Sequence, residues 1–328
     1  MSSPPDPSDP GPAPLRTDQT TADFPRPLRG SSTQHLLITL LTEVWQSSEA
    51  WIPSRLVVAL AGDLDVTPSA ATTALSRLAT RRVLEQSNAG RSSRYRFTPN
   101  ARARLTAAIQ RVVDFGSGGR AWDGRWTVIA FSIPEASRDV RELFRNHLKF
   151  RGFAPIYGAL WVSPWERPED LEAGCAAFGV TDFVIFRTAD DSLRGKSLIR
   201  AWPLEELGEQ YQPFIDRFRP WVQRCAAGEV VPADAFRVRV QAMDTWRTFP
   251  SGDPDLPLEL LPDRWQLTEA RSVFMSLYEC LAEPALEHVR QVVARHAPEL
   301  GEEITILRPA SAHADPSGTT EDSSFRTP

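Results

Sequence analysis

The chain has few histidines and cysteines, two side chains that many enzymes use for chemistry. Only five histidines and three cysteines occur among 328 residues. No histidine belongs to an HExxH pattern or neighbours a nucleophile motif, and no cysteine lies in a CxxC or Cys/His ligand spacing. We therefore expect no catalytic residue, no metal site and no bound cofactor. The cysteines are expected to be small apolar or surface thiols.

Long hydrophobic runs are also missing. No apolar run approaches the roughly 20 residues of a transmembrane helix, and a basic-then-apolar signal sequence is absent from the N-terminus. With 41% hydrophobic and 24% charged residues, the sequence predicts a cytoplasmic, soluble protein of two or three domains. Residues 1–34 hold eight prolines, and residues 309–328 are rich in Ser, Thr, Asp and Pro, so both are predicted to be disordered.

Positive charge is concentrated in one short segment of an otherwise acidic chain. Between Ser76 and Arg104 lie eight arginines and one acid, Glu85, which gives the segment a charge of +7 in a chain of net charge −5. Lysine is almost absent, since 35 of the 37 basic residues are arginine, so the clustering is more informative than the total. A basic patch on an acidic protein indicates a polyanionic partner.

The region around this patch, residues 35–113, has the pattern of a winged helix. Apolar residues at helical spacing predict a first helix over Leu36–Val44, and Ser54 can cap a second one. After a turn, Thr67-Pro68 combines an N-cap with a proline at the first helical position, which predicts the start of a third helix.

Two predicted strands complete the winged-helix pattern. They cover Val83–Gln86 and Arg94–Phe97, with a polar, glycine-containing loop between them, and Thr98-Pro99 starts a further helix. In a winged helix the third helix lies in the major groove of duplex DNA. A solvated basic surface, or a winged helix that serves only protein assembly, remains an alternative.

The third helix is expected to divide into an apolar face and a hydroxyl-rich face. Because Ala71, Ala74, Leu75 and Leu78 form one stripe, the short hydroxyl side chains face outward, where they suit contacts with the DNA backbone and base edges. The arginines near these hydroxyl residues are expected to lie toward phosphates or on the wing, which is the pair of predicted strands. The predicted DNA-binding residues are Ser69, Thr72, Thr73, Ser76, Arg77, Thr80, Arg81, Arg91 and Arg94.

A glycine-rich linker over 114–120 leads to a second domain, residues 122–203. Its predicted order is β-α-β-β-α-β, which is typical of a ferredoxin-like α+β domain. Such domains commonly pair through their sheet or helices, so we expect a homodimer. The third domain, residues 204–306, is predicted to be helical, with helices over 211–222, 233–249, 265–281 and 287–297.

One short motif resembles the end of a phosphate-binding P-loop. Gly195-Lys196-Ser197 follows a strand, but Asp190 stands where the first glycine would be, and little room is left for the following helix. ATP hydrolysis is therefore not expected. A weaker anion site for an effector, formed by Arg194, Lys196 and Arg200, is the prediction that stays open. Trp122, Trp126, Trp161 and Trp202 could line an aromatic pocket, although core packing explains them equally well.

Four stretches taken together are more specific than any one alone. They are Ala74–Leu84 with Gly90–Thr98; Trp122–Trp126; Gly152–Pro155 with Gly158–Pro164; and Asp253–Pro257 with Leu261, Pro262 and Trp265. In this order and spacing, over about residues 35–285, they resemble the PaaX family of bacterial repressors, which control phenylacetate-degradation operons.

The resemblance implies an N-terminal winged helix, a central domain similar to the small CRISPR-adaptation nucleases, and a helical C-terminal domain. It also implies a dimeric repressor of operator DNA that an acyl-CoA releases, phenylacetyl-CoA in the best-known members.

Three departures from the family pattern stand out. Arg82 replaces a common glycine, and Thr72 stands at a position that is often basic. Phe131–Glu135 lacks the aspartate that the nucleases carry just after the first strand. The last departure argues against the alternative function, a metal-dependent nuclease.

Overall fold

A computed structural model describes residues 32–89, 92–118, 121–166, 168–189, 192–193 and 196–308. The predictions of disorder for residues 1–31 and 309–328 therefore lie outside the described residues. The same prediction is wrong for Thr33 and Gln34, which begin a helix because the Ser32 hydroxyl caps it by accepting from the His35 N–H. The chain is of the α+β class, with a sheet-containing centre and a helical C-terminal part. Among the described helices, none has the length and apolar character that would let it cross a membrane.

Among the described residues, the N-terminal part contains four helices and a small three-stranded antiparallel sheet in the order β1-β3-β2. The elements are α1 (Thr33–Trp45), β1 (Ile52–Pro53), α2 (Ser54–Gly62), α3 (Pro68–Thr80), β2 (Leu84–Ala89), β3 (Ser92–Phe97) and α4 (Pro99–Asp114).

Local capping explains where two of these helices begin. The Thr67 hydroxyl accepts a hydrogen bond from the Ala70 N–H at the start of α3, and Thr98 does the same for Ala101 in α4, which confirms both predicted caps. The cap predicted at Ser54 is wrong, because Ser54 is the first residue of α2 and Pro53 is its N-cap.

The hairpin of β2 and β3 is longer than predicted. Ser87 pairs with Arg94 and Asn88 with Ser93, so both strands continue into the stretch that the sequence suggested was a loop. Serine and asparagine weaken a strand prediction because their side chains favour turns. The ladder of cross-strand pairs extends the hairpin despite this local preference.

The end of α3 is closed by a Schellman motif. The Val83 N–H donates to the Leu78 carbonyl, and the Arg82 N–H donates to the Ala79 carbonyl. Arg82 occupies the left-handed region at φ 57°, the conformation that this motif requires and that glycine adopts without steric cost. The glycine common in similar sequences at this position therefore has a backbone explanation.

The central part has the predicted β-α-β-β-α-β order. Its antiparallel sheet runs β5-β6-β4-β7, which is the ferredoxin-like arrangement, and the two helices cover one face. The elements are β4 (Trp126–Ser132), α5 (Arg138–Phe150), β5 (Ala154–Tyr157), β6 (Leu160–Ser163), α6 (Pro168–Ala177) and β7 (Asp182–Thr188), followed by a short ladder of β8 (Ser192–Leu193) and β9 (Lys196–Ser197).

The C-terminal part is helical, as predicted, although its last long helix begins five residues earlier than expected, at Ala282. Its helices pack with α1 to α3 around one continuous apolar core. They are α7 (Leu204–Glu209), α8 (Gln212–Ala226), α9 (Pro232–Trp246), α10 (Phe249–Gly252), α11 (Gln266–Cys280) and α12 (Ala282–His296).

Two of the three cysteines are bonded to each other. Cys225 on α8 and Cys280 on α11 form a disulfide with their Cα atoms 6.4 Å apart, whereas Cys175 is a buried free thiol. The expectation of free thiols is thus wrong for Cys225 and Cys280. They are 55 residues apart in sequence, and only the packing of α8 against α11 brings them together.

Candidate nucleic-acid interface

Helix α3 presents one hydroxyl-rich face to solvent. Ala71, Ala74, Leu75 and Leu78 are at most 3% exposed, so the opposite side of the helix faces outward. This buried stripe agrees with the apolar face deduced from the sequence. The predicted residues on the exposed face and at its C-terminal end are Ser69, Thr72, Thr73, Ser76, Arg77, Thr80 and Arg81.

The hydroxyl groups on this face differ in what they can still bind. Thr72 donates to the Pro68 carbonyl at 2.8 Å and Thr80 donates to the Ser76 carbonyl at 3.1 Å, so both hydroxyls retain mainly acceptor capacity. Within the described part of the chain, the hydroxyls of Thr73 and Ser76 have no partner, and they can donate as well as accept. The sequence pattern does not reveal this difference.

The outer face of the β2–β3 hairpin carries arginines of two kinds. Arg96 pairs with Glu85 at 2.7 Å, so the only acid of the basic segment is already neutralised within the protein. Arg94 forms no ion pair and no side-chain hydrogen bond with any residue that the structure describes. Arg91 lies outside the described residues.

Trp51 also belongs to this surface, although the sequence pattern does not indicate it. Its ring lies under two guanidinium groups, with the Arg94 Cζ atom 5.3 Å and the Arg96 Cζ atom 4.4 Å from the ring centroid. Trp51 directly precedes β1, which pairs with β3 so that Pro53 lies opposite Arg94. No local signal connects Trp51 with residues more than 40 positions later.

The three predicted effector residues are only partly described. Arg194 lies outside the described residues, and of Lys196 the structure describes only the backbone, in β9. Arg200 is exposed on a 3-10 turn over Leu198–Ala201. The anion site formed by these three residues therefore stays a prediction.

The four tryptophans singled out in the sequence do not share a pocket. Trp126 lies 5.4 Å from Trp122 and 6.0 Å from Trp202, between ring centroids, on the sheet face that α5 and α6 leave open. Trp161 is buried on the opposite face, beneath those helices. Core packing therefore explains their positions.

An exposed ion pair lies just after β4, where the CRISPR-adaptation nucleases carry an aspartate. Glu135 follows β4, its side chain is 81% exposed, and it pairs with Arg141 at 2.8 Å. Within the described residues there is no group of three His, Cys, Asp or Glu side chains that could hold a metal ion.

Comparison with known proteins covers most of the chain. Three family models match: "PaaX-like protein" over residues 32–101, "PaaX protein central Cas2-like domain" over 119–198, and "PaaX-like protein C-terminal domain" over 202–291. The "Transcriptional repressor PaaX" of Escherichia coli strain K12 is 30% identical over 256 residues, which are 75% of this chain and 78% of that protein. The chain belongs to the PaaX family.

Membership in the PaaX family supports a transcriptional regulator without enzymatic activity, and nothing in these relatives favours a nuclease. It also assigns the central ferredoxin-like sheet to the Cas2-like domain of PaaX proteins. The uncharacterized protein Rv0674 from Mycobacterium tuberculosis shares the fold, with a TM-score of 0.52 at 20% identity over 77% of this chain and 97% of that one.

Proposed function

We propose that this PaaX-family protein is a DNA-binding transcriptional repressor, active in the cytoplasm, whose residues 35–113 are a winged helix. The order of α1, α2 and α3 followed by the β2–β3 hairpin supports this assignment, as does the pairing of β1 with β3. The observation that carries the proposal is the exposed face of α3, where hydroxyl side chains stand next to arginines in the most basic segment of an acidic chain.

In this proposal α3 is the recognition helix. Thr73 and Ser76 read base edges, because their hydroxyls have both donor and acceptor capacity left. Arg77, Arg81 and Arg94 contact phosphates, which positions the protein without selecting a sequence. Ser69, Thr72, Thr80 and Arg91 complete the interface.

We further propose that the repressor is a homodimer formed along strand β7. This strand is an edge of the central sheet, hydrogen-bonded to β4 on one side. Val184 is 54% exposed and Phe186 46%, and both lie on the same face of the strand. An unpaired apolar edge is a template for another strand.

A two-fold axis through Ile185 would pair β7 with its own copy in antiparallel orientation. Val184 would then lie opposite the partner's Phe186, an apolar cross-strand pair. Two-fold symmetry also presents two recognition helices to half-sites about one helical turn, or a multiple of it, apart.

We propose that an acyl-CoA such as phenylacetyl-CoA releases the repressor from DNA. Its anionic part would bind at Arg194, Lys196 and Arg200. Such an effector shifts the equilibrium only if it binds the released geometry better than the DNA-bound one. Support for this step comes from the family resemblance and from the basic character of 194–200.

Fluorescence anisotropy with a labelled duplex from the region upstream of the protein's own gene tests the function. We expect tighter binding to this duplex than to a scrambled one, a steep loss of affinity with salt, and release by phenylacetyl-CoA but not by coenzyme A alone. Equal binding to both duplexes would refute sequence-specific repression. No binding to either would leave protein assembly as the role of the N-terminal part.

A further inference from the structure

We propose that Trp51 is a positioning residue that holds Arg94 in place for a DNA phosphate. The role rests on the DNA-binding function proposed above and deepens it. Arg94 and Arg96 are two residues apart on β3, so their side chains leave the same face of the strand, and Trp51 lies at the edge where β1 joins that strand. Both guanidinium groups reach the one indole ring.

The two arginines at this ring differ in their other partners. Arg96 donates from Nε to the Glu85 carboxylate at 2.7 Å, so its charge is compensated across the β2–β3 ladder. Arg94 stands opposite Ser87, and its Nε is buried without a hydrogen-bond partner among the described residues. The position of Arg94 is therefore set by the ring and not by a carboxylate.

An aromatic ring differs from a carboxylate as a support for an arginine. The face of indole attracts the cation through its quadrupole but carries no net charge, so it does not cancel the field of the guanidinium. A planar guanidinium that is already stacked also loses less side-chain freedom when it meets a phosphate. Trp51 thus holds Arg94 in place while leaving its charge uncompensated and able to attract an anion.

The test is a double-mutant cycle on duplex binding. Trp51→Leu is expected to weaken DNA binding about 2- to 5-fold, the range of an exposed cation–π contact. The loss should be equal for the duplex from upstream of the gene and for a scrambled duplex. In the Arg94→Ala background the same change should have no measurable effect, because the group that Trp51 positions is gone. Trp51→Phe keeps a ring and should give an intermediate affinity.

Trp221→Leu is the matched control. Trp221 on α8 also lies under an arginine, with the Arg224 Cζ atom 4.4 Å from its ring centroid, but neither residue belongs to α3 or to the β2–β3 hairpin. This variant should bind DNA like the wild type. Thermal unfolding of each variant detects a general loss of structure, and Trp51→Phe provides the binding comparison if Trp51→Leu does not fold.

The possible outcomes separate this role from the proposed function. If the wild type binds DNA and Trp51→Leu and Trp51→Phe bind equally well, or if the loss is the same with and without Arg94, Trp51 has no positioning role. A tighter complex for Trp51→Leu would mean that the ring withholds Arg94 from DNA, which also overturns the inference. A wild type that binds no duplex refutes the DNA-binding function itself.

Discussion

Glu43 and Arg239 form an ion pair from which solvent is almost fully excluded. The Arg239 Nε atom lies 3.0 Å from a carboxylate oxygen of Glu43, and the side chains are 1% and 2% exposed, respectively. Tyr278 donates its hydroxyl to the same carboxylate, and Arg239 also donates to the carbonyls of Tyr278 and Leu307. Burial raises the pKa of Glu43, and the guanidinium of Arg239 opposes that rise.

Removing one member of this pair should be strongly destabilising. Arg239→Met leaves the Glu43 carboxylate buried without a cation, and we expect the free energy of unfolding in urea to fall by about 3–5 kcal/mol. Combining it with Glu43→Gln should recover part of the loss, because no unpaired charge remains. Glu142→Ala, which breaks the exposed Arg145–Glu142 pair, should change stability by less than about 1 kcal/mol. A small effect of Arg239→Met would contradict this account.

A second prediction concerns the backbone at Arg82. Because Arg82 is left-handed at φ 57°, Arg82→Gly should relieve steric strain and raise the free energy of unfolding by about 0.5–1 kcal/mol, after the greater freedom of glycine in the unfolded chain is subtracted. Arg81→Gly is the matched control, since Arg81 has an ordinary φ of −81° and glycine there should destabilise. Chemical denaturation of both variants shows whether the free energy of unfolding rises or falls.

A third prediction concerns His35, which is 4% exposed. Burial, with the nearby Arg247 guanidinium, lowers its pKa from 6.5 to about 4. The unfolded chain therefore takes up a proton as pH falls through 6.5, while the folded protein resists it until about pH 4. The contribution of His35 to the free energy of unfolding is therefore fully present above pH 6.5. As the pH falls from 6.5 to 4, that free energy decreases by at most about 3 kcal/mol.

Denaturation of wild type and His35→Gln across this pH range isolates the contribution of His35. Groups that titrate in both proteins cancel in the difference, so the wild type should lose its relative advantage as the pH falls from 6.5 to 4. A difference independent of pH would mean that the imidazole keeps its ordinary pKa in the folded protein.

A fourth prediction separates the residues that read bases from those that hold the DNA backbone. Thr73→Ala and Ser76→Ala should change the preferred base at particular positions, by about 1–3 kcal/mol for a contacted base. Arg91→Ala and Arg94→Ala should instead weaken binding to all duplexes and reduce the salt slope by about 1 each. Binding to a library of randomised duplexes measures both. Unchanged operator affinity in all four variants would remove α3 and the hairpin from the interface.

The fifth prediction tests the β7 dimer. Phe186→Glu places a charge in the middle of the proposed apolar pair, so the variant should sediment as a monomer where the wild type is a dimer. Val231→Glu changes another exposed apolar residue, 55% exposed and remote from β7 in sequence, and should leave the mass unchanged. A dimer that persists in Phe186→Glu means that another surface forms it.

Local features of this chain were readable from its sequence. Thr67 and Pro68 start α3 because a hydroxyl cap and a proline act on the turn in which they stand. The exposed face of α3 followed from the spacing of its apolar residues. The prediction of a loop at Ser87 and Asn88 is wrong, because pairing with β3 overrides their local preference.

The order of the main helices and strands and the concentration of positive charge could be predicted from the sequence, since these depend on neighbours along the chain. The contacts between distant residues could not, since they depend on how the elements pack. Glu43 and Arg239 are 196 positions apart, and Trp51 reaches Arg94 through the pairing of β1 with β3. Such contacts arise because helices and strands bury their apolar faces together, and the resulting packing has no counterpart in local sequence.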